Sequence, residues 1–189
     1  MAVPLAELRF IDVLPHHWFY NYVMTVVNRG LFLGTTDTTF SPSANMTGGM
    51  FVTVLARLGD VDLTRYQAVS QTFNDVTPAA WYFSAVEWAV RNGIVTGADD
   101  NFVARADVTR EQMATMIYRF ANAMNINLPT GEANTFADQA YISSWAADAV
   151  GAVSAAGIIR GNPNGTFNPH ATALRAEVAA VFTRFINVM

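Results

Sequence analysis

Apolar side chains recur at helical spacing in pairs of short segments along the chain. In one pair, Trp81, Ala85 and Trp88 mark one face of a first helix. After a polar interval, a second stripe is formed by Met113, Met116, Ile117, Phe120 and Met124. Comparable stripes begin at Met50 in the first part of the chain and at Val178 in the last part. The pattern predicts a helix, a loop and a second helix in each of three units.

A glycine marks the end of each predicted first helix. Gly30, Gly93 and Gly157 each precede an apolar residue that is expected to fold back on the helix. Glycine readily adopts the left-handed conformation that is common just after the last helical turn. The three glycines therefore predict three helix ends, each followed by a tight loop.

The three units are copies of one repeat, because their landmark residues follow one another in the same order. Phe10, Phe73 and Phe136 stand 63 residues apart, which sets the period. The other landmarks keep this period within a residue or two: Asp12, Asp75 and Asp138; Trp18, Trp81 and Trp145; Gly34, Gly97 and Gly161; Phe40, Phe102 and Phe167; Arg57, Arg119 and Arg184. The predicted repeats are 10–60, 73–124 and 136–189, with connectors at 61–72 and 125–135.

Three repeats could stack in a line or close into a ring. One helical pair cannot bury its own apolar stripe, so stability requires neighbouring copies. Neither the first nor the last repeat has the polar outer face expected of an end cap. Closure is therefore favoured, and the predicted fold is all-α, with three helix–loop–helix repeats around a pseudo-threefold axis.

The second helix of the middle repeat begins with Thr109-Arg110-Glu111-Gln112. Thr109 and Gln112 have the spacing of a capping box. Arg110 places a cation where the helix dipole prefers negative charge, which would be favourable if the arginine and free helix amides faced an anion. The third repeat keeps this cation as Arg175, whereas the first repeat has Gly48. The sequence thus predicts anion sites at Arg110 and Arg175 and puts the first repeat in doubt.

Composition restricts the kinds of partner. The 189 residues carry a net charge of −4, and all 11 cations are arginines, so a diffuse basic surface for nucleic acid or anionic lipid is not expected. The chain has no cysteine, which excludes disulfides and thiol chemistry, and no apolar run long enough to span a bilayer. The first residues do not have the pattern of a signal peptide, so an exported protein would be represented here in mature or excised form.

The ordered set Phe-x-Asp-Val, Trp, Gly-Ile-Val-x-Gly, Phe and Thr-Arg-Glu-Gln resembles the S-layer homology (SLH) family across nearly the whole chain. The resemblance implies a compact pseudo-trimer with central second helices. It also implies grooves between repeats that bind a secondary cell-wall polysaccharide, often one with a pyruvylated sugar, at the cell surface. Family members usually have Thr-Arg-Ala-Glu at the second helix, so the glycine at position 48 departs from the pattern.

The residues expected to bind polysaccharide are Arg110, Arg175, Gly97, Gly161, Trp81, Trp145, Asn162 and Trp18. Each arginine could hold a carboxylate, the alternative being a surface arginine or a salt bridge between repeats. If it binds the ligand, substitution by alanine is expected to weaken binding with little effect on melting temperature. The tryptophans are expected mainly as core or inter-repeat wedges, with stacking on sugar rings as a second role. The glycines could leave backbone amides open to a ligand. The three repeated aspartates are expected to cap or fix the turn before each first helix.

Other classes of function remain as alternatives. A structural module that self-associates into a surface lattice is the main one. An enzyme is less well supported, because the repeated acids occupy parallel positions and no nucleophile–base motif occurs. His16 and His17 do not have the spacing of a metal site. No cofactor and no metal are therefore expected, and the partner is expected to be a wall polysaccharide.

Overall fold

The structure is a computed structural model that describes residues 9–132 and 134–189. The expectation about a signal peptide concerns residues 1–8, and position 133 falls in the second connector; both lie outside the described part. The described helices are α1 Tyr20–Asn28, α2 Gly48–Leu58, α3 Phe83–Arg91, α4 Arg110–Ala123, α5 Ala147–Ala155 and α6 Arg175–Ile186. Extended pairing in the described ranges is limited to isolated bridges, so the predicted all-α class is confirmed.

Each first helix ends at the predicted glycine. Gly93 has φ +68°, and the amide of Ile94 donates to the carbonyl oxygen of Ala89 at 2.8 Å. This bond closes the last helical turn and folds an apolar residue back onto the helix. Gly30 and Gly157 have the same conformation, with φ of +71° and +69°. The helix ends predicted from sequence are therefore confirmed.

The helices pair between repeats. The first helix of each repeat packs against the second helix of the preceding repeat: α3 on α2, α5 on α4, and α1 on α6. The last pair joins the two ends of the chain, which confirms the predicted closure. Aromatic side chains of the second helices meet inside the ring, where Phe51 contacts Phe182 and Phe120 contacts Phe185. The central position of the second helices follows from these contacts.

Three backbone hydrogen bonds mark the pseudo-threefold axis. The amide of Met46 donates to the carbonyl oxygen of Ala173 at 2.9 Å, and the amide of Ala173 donates to Val108 at 2.9 Å. The amide of Val108 completes the circuit by donating to Met46 at 2.8 Å. Each of the three residues comes from a different repeat and stands just before its second helix. The ring is thus closed by backbone groups as well as by side-chain packing.

The segment between the two helices of a repeat is called here its glycine loop (29–47, 92–109 and 156–174). An aspartate near the start of each repeat fixes this loop. The Asp138 carboxylate accepts hydrogen bonds from the amides of Phe167 and Asn168, both at 2.7 Å. Asp12 and Asp75 bind their own loops in the same way. The expectation that these aspartates fix the turn before the first helix is wrong, because two consecutive loop amides are their partners.

Within the described ranges, every helix is too short or too polar to cross a membrane.

Candidate ligand grooves between repeats

The amides at the start of each second helix bind the glycine loop of the next repeat. The amide of Arg110 donates to Ala171 at 2.9 Å, and that of Glu111 donates to Pro169 at 3.1 Å. The third amide belongs to Gln112 and donates to the Thr109 hydroxyl at 3.3 Å. The expectation of free helix amides facing an anion is therefore wrong. Loop carbonyls reach these groups first because the glycine loop wraps across the helix end.

The predicted capping box is present. The Gln112 side chain accepts a hydrogen bond from the Thr109 amide at 3.0 Å, which completes the reciprocal pair. In the third repeat, Glu177 accepts from the amide of Leu174 at 3.0 Å, although leucine has no side-chain acceptor to return the bond. Capping therefore accounts for the polar residues that flank each arginine.

Arg110 joins the second repeat to the glycine loop of the third. Its side chain is 8% exposed, and its Nε donates to the carbonyl oxygen of Phe167 at 2.7 Å. One terminal nitrogen, Nη2, donates to the carbonyl oxygen of Arg160 at 3.1 Å. The guanidinium also lies over the Phe167 ring, 5.2 Å from its centroid. This contact between α4 and the third glycine loop is called the Arg110 junction.

Arg175 makes the same set of contacts between the third repeat and the first. Its side chain is 6% exposed, and its Nε and Nη2 donate to Phe40 and Leu33 at 2.8 and 2.9 Å. Its guanidinium lies 4.6 Å from the centroid of the Phe40 ring. This contact is called the Arg175 junction. The arginine geometry is therefore a repeated feature of the fold.

Both guanidinium groups carry charge that is not neutralised by a salt bridge among the described residues. Burial lowers the pKa of Arg110, and the charges of Glu177 and Asp138 offset part of this effect. Burial also lowers the pKa of Arg175, against the charge of Asp12. Guanidinium remains protonated at neutral pH despite such shifts. Each junction therefore holds a cation that is clamped by neutral carbonyl groups.

One terminal nitrogen of each guanidinium has no hydrogen-bond partner within the described residues. In the described ranges, Nη1 of Arg110 and of Arg175 donates no hydrogen bond within the protein. No fully buried side-chain nitrogen in those ranges lacks a partner, so these Nη1 groups must keep contact with water. A carboxylate could therefore replace water at this nitrogen without breaking a protein hydrogen bond.

The equivalent contact in the first repeat lacks its arginine and leaves an open cleft. Gly48 faces the Phe102 ring, and a cavity of about 580 Å³ lies beside it. The ring of Phe102 is only half-buried, whereas Phe40 and Phe167 are fully buried beneath their arginines. Two predicted site residues, Gly97 and Trp145, line this cavity. It is called the Gly48 cleft.

A second cavity of about 410 Å³ adjoins the Arg110 junction. Gly161 and Asn162 line it together with Arg160, whose carbonyl oxygen accepts the hydrogen bond from Arg110. The Asn162 side chain donates to the Thr166 hydroxyl at 3.1 Å, which holds this loop in shape. The structure therefore brings Gly161 and Asn162 together in one cavity, and Arg110 binds the residue that precedes them.

The three tryptophans are surface residues. Trp18, Trp81 and Trp145 are 61%, 66% and 54% exposed, so the expectation that they are mainly core or inter-repeat wedges is wrong. Trp18 and Trp81 meet the next aromatic residue edge to face, which leaves ring surface open. Trp145 lines the Gly48 cleft, and the pseudo-threefold relation leads us to expect Trp18 near the Arg110 junction and Trp81 near the Arg175 junction. The structure therefore places one exposed indole, that of Trp145, at the border of a groove.

The second glycine of each loop makes room for the first phenylalanine of its repeat. A Cβ atom added to Gly161 would lie 2.7 Å from Cε1 of Phe136, and one added to Gly97 would meet Phe73 even more closely. The amides of Gly97 and Gly161 donate no hydrogen bond within the described residues. Close packing thus explains the glycines, and contact between their amides and a ligand stays a prediction.

Sequence reasoning missed two features of the grooves. The partners of Arg110 and Arg175 are backbone carbonyls, which every residue possesses. A second arginine belongs to each groove: Arg184 donates to Ile158 at 3.4 Å, and Arg57 donates to Leu31 at 2.9 Å. Their recurrence at the end of each repeat was visible in the sequence, but nothing in the sequence indicated that they contact a groove. Across the described ranges, His, Asp and Glu side chains form no cluster suited to a metal ion.

Comparison with known families identifies the repeat. The S-layer homology domain matches residues 9–49, 72–114 and 135–179, one match in each repeat. The chain belongs to the S-layer homology family. The SLH domain is a non-catalytic module of the cell-wall-anchoring type, and it occurs at the cell surface. The bounds of the repeats, 10–60, 73–124 and 136–189, stay a prediction.

Relatives of this SLH chain are much longer proteins. An amylopullulanase of Thermoanaerobacterium thermosulfurigenes is 31% identical over 87% of the chain, which covers 9% of that protein. The surface-layer 125 kDa protein of Lysinibacillus sphaericus is 27% identical over 87% of the chain, covering 14% of that protein. A cellulosome-anchoring protein of Acetivibrio thermocellus is 28% identical over 77% of the chain, covering 33% of that protein. The SLH region is thus a small part of each relative.

Proposed function

We propose that this SLH domain anchors a protein to the cell wall by binding an anionic secondary polysaccharide in the grooves between repeats. The observation that carries the proposal is the pair of buried, unneutralised guanidinium groups at the Arg110 and Arg175 junctions. A buried charge is costly unless it is paired. An anion at the unpaired edge of each guanidinium supplies the missing partner.

A carboxylate attached to a sugar suits this edge. Nη1 of Arg110 offers unused N–H donors, while Nε and Nη2 are held by loop carbonyls. These two hydrogen bonds fix the direction of the unused donors. The arginine side chain therefore loses little conformational freedom when a ligand binds. A pyruvyl ketal on a wall sugar carries such a carboxylate. The second arginine of the groove, Arg184, adds positive charge nearby.

The remaining predicted residues supply contacts with the sugar itself. The exposed indoles of Trp18 and Trp81 offer flat apolar surfaces to a pyranose ring at the Arg110 and Arg175 junctions. Gly161 offers an open amide, and Asn162 lies beside it in the same cavity. Gly97 and Trp145 serve the Gly48 cleft in the same way. Charge and ring recognition thereby act together at the Arg110 and Arg175 junctions.

Binding of purified chain to isolated wall polysaccharide, before and after mild acid removes ketal groups, tests this function. Wild-type protein should bind the untreated glycan and lose most binding to the treated one. The double variant R110Q/R175Q should bind the untreated glycan at least about tenfold more weakly. Arg29 is exposed, so R29Q serves as a control that removes the same kind of charge elsewhere. Equal binding to both glycans would overturn the carboxylate assignment.

The same titration separates anchoring from self-assembly. Binding should persist at protein concentrations where sedimentation shows a monomer. If wall association appears only together with higher oligomers, the domain is a lattice-forming module and the groove proposal fails. Melting of R110Q/R175Q, recorded alongside, shows whether the variant is folded at the temperature of the binding measurement.

A further inference from the structure

The Gly48 cleft has a polarity opposite to that of the two arginine junctions. At the Arg175 junction, the carbonyl oxygens of Phe40 and Leu33 accept hydrogen bonds from the guanidinium. Their counterparts beside Gly48 are Phe102 and Thr96, and both line the cleft. Neither carbonyl oxygen accepts a hydrogen bond from any described residue. The cleft therefore presents acceptors where the other junctions hold a cation.

A third carbonyl in the cleft is also unpaired. Arg57 and Arg184 donate to Leu31 and Ile158 in the first and third repeats. The corresponding carbonyl oxygen of Ile94 has no donor among the described residues, because Arg119 makes no hydrogen bond there. Unpaired carbonyl groups at a partly enclosed surface favour a ligand that brings donors.

Charge and aromatic surface point to the same kind of ligand. The charged residues that line the cleft are Asp107 and Arg119, and the loop behind it is held by the Asp75 carboxylate. The charges of Asp107 and Arg119 cancel. The net negative charge near the cleft is therefore that of Asp75, whose carboxylate accepts hydrogen bonds from the amides of Phe102 and Val103. The Phe102 ring is half-buried, and no guanidinium of a described residue lies over it. At the Arg175 junction, by contrast, the guanidinium lies 4.6 Å from the centroid of the equivalent Phe40 ring. A cation placed over the Phe102 ring would gain the interaction that the arginines make elsewhere.

We propose that the Gly48 cleft binds the protonated amine of an amino sugar. The ammonium group donates to the carbonyl oxygens of Phe102 and Thr96 and lies against the Phe102 ring, in place of the missing guanidinium. The sugar ring rests at the exposed indole of Trp145, which borders the cleft. The cavity of about 580 Å³ lies in the size range of small-molecule sites. This inference deepens the proposed function, since it assumes that the domain recognises glycan.

Titration of ¹⁵N-labelled chain with glucosamine and, separately, with N-acetylglucosamine tests the inference. The two sugars differ at the nitrogen, which is a cation in the first and a neutral amide in the second. Glucosamine should shift the amide signals of Gly97, Asn101 and Phe102, with affinity in the millimolar range. N-acetylglucosamine should bind at least about tenfold more weakly at these signals. Equal shifts with both sugars, or none with glucosamine, would overturn the assignment.

The variant G48R provides the second arm. Its arginine should occupy the cleft, pair with Phe102 and Thr96, and abolish the glucosamine shifts, whereas G48A should retain them. Persistent glucosamine shifts in folded G48R would contradict the proposed position of the amine. G48R should still bind acidic wall glycan through Arg110 and Arg175. Wild-type protein that shows the glucosamine shifts but fails to bind acidic wall glycan would count against the anchoring proposal alone, so the two inferences fail separately.

Discussion

Arg110 and Asp138 bind the same residue, Phe167, from two different repeats. The Asp138 carboxylate accepts from the amide of Phe167 at 2.7 Å, and Arg110 Nε donates to its carbonyl oxygen at 2.7 Å. The acid fixes the glycine loop within its own repeat, and the arginine then attaches that loop to the neighbouring repeat. One loop residue thus connects folding within a repeat to assembly of the ring.

Replacing Arg110 by alanine should destabilise the domain. The variant loses two charge-assisted hydrogen bonds and leaves the carbonyl oxygens of Phe167 and Arg160 without their donor. We expect a loss of about 3 kcal/mol in the free energy of unfolding, measured by urea denaturation. This differs from the sequence-based expectation of a nearly unchanged melting temperature, because the arginine is buried between repeats.

Arg29 offers the matched control for that loss. It is exposed in the loop that follows α1, so R29A should change the free energy of unfolding by less than about 0.5 kcal/mol. If R110A and R29A had equal effects on stability, the contact between Arg110 and the third glycine loop would have no structural role.

Replacing Gly48 by arginine should stabilise the domain. Gly48 begins α2 without a left-handed φ, and a Cβ there would lie 3.3 Å from the edge of the Phe102 ring. A small shift of that ring makes room for the introduced arginine side chain. Its guanidinium can then donate to the carbonyl oxygens of Phe102 and Thr96. We expect a gain of about 1–2 kcal/mol over G48A in chemical denaturation. A folded G48R no more stable than G48A would show that the two carbonyls do not receive the guanidinium.

Acid should weaken the domain through Asp138. Partial burial raises the pKa of this carboxyl, but hydrogen bonds from Phe167 and Asn168 and the charge of Arg110 outweigh that effect and lower the pKa below its usual range. Its contribution is therefore complete above the unfolded pKa, near roughly pH 4, and is lost as pH falls through the lower folded pKa.

Urea denaturation of wild type and D138N between neutral pH and pH 3 measures this contribution. The stability of D138N should depend less on pH over the acidic range, since the amide cannot titrate. Asp37 is exposed, and its carboxylate accepts no hydrogen bond from a described residue. The stability of D37N should therefore depend on pH in the same way as that of the wild type. If the free energies of unfolding of wild type and D138N changed in parallel with pH, Asp138 would make no contribution to the loss of stability in acid.

Gly97 and Gly93 form a natural pair for testing the packing of the glycine loop. Both have a left-handed φ, +64° and +68°, so alanine is strained at either site. A Cβ on Gly93 meets nothing within 4 Å, whereas one on Gly97 would run into Phe73 and lie 2.6 Å from the Asn101 carbonyl oxygen. G93A should cost about 1 kcal/mol, and G97A at least about 2 kcal/mol more. Equal costs in thermal denaturation would mean that conformation alone explains both glycines.

The order of helices and loops was predictable from sequence because it depends on local patterns. A helical stripe such as Met113 to Met124 identifies an apolar face, and a glycine such as Gly93 identifies the helix end. Closure was also predicted, since neither terminal repeat had a polar outer face. The pairing of α1 with α6 was harder to predict from sequence, because an apolar face does not specify which other face will cover it.

The environment of the site residues was harder to predict. Thr109 and Gln112 cap the helix as their spacing indicated. Arg110, however, binds carbonyl groups 50 and 57 residues away, and backbone acceptors leave no trace in side-chain identity. Trp81 and Trp88 have similar chemistry, yet Trp81 is exposed and Trp88 is buried. Only the wrapping of neighbouring repeats distinguishes them.

The pairing of α1 with α6 has a consequence for synthesis of the protein. The first helix leaves the ribosome long before the helix that covers its apolar face, and the bond from Met46 to Ala173 must also wait for the third repeat. The nascent chain therefore exposes the apolar face of α1 until nearly all of the domain has been translated. A chain cut after the second repeat would lack this cover and should be a substrate for chaperones and proteases.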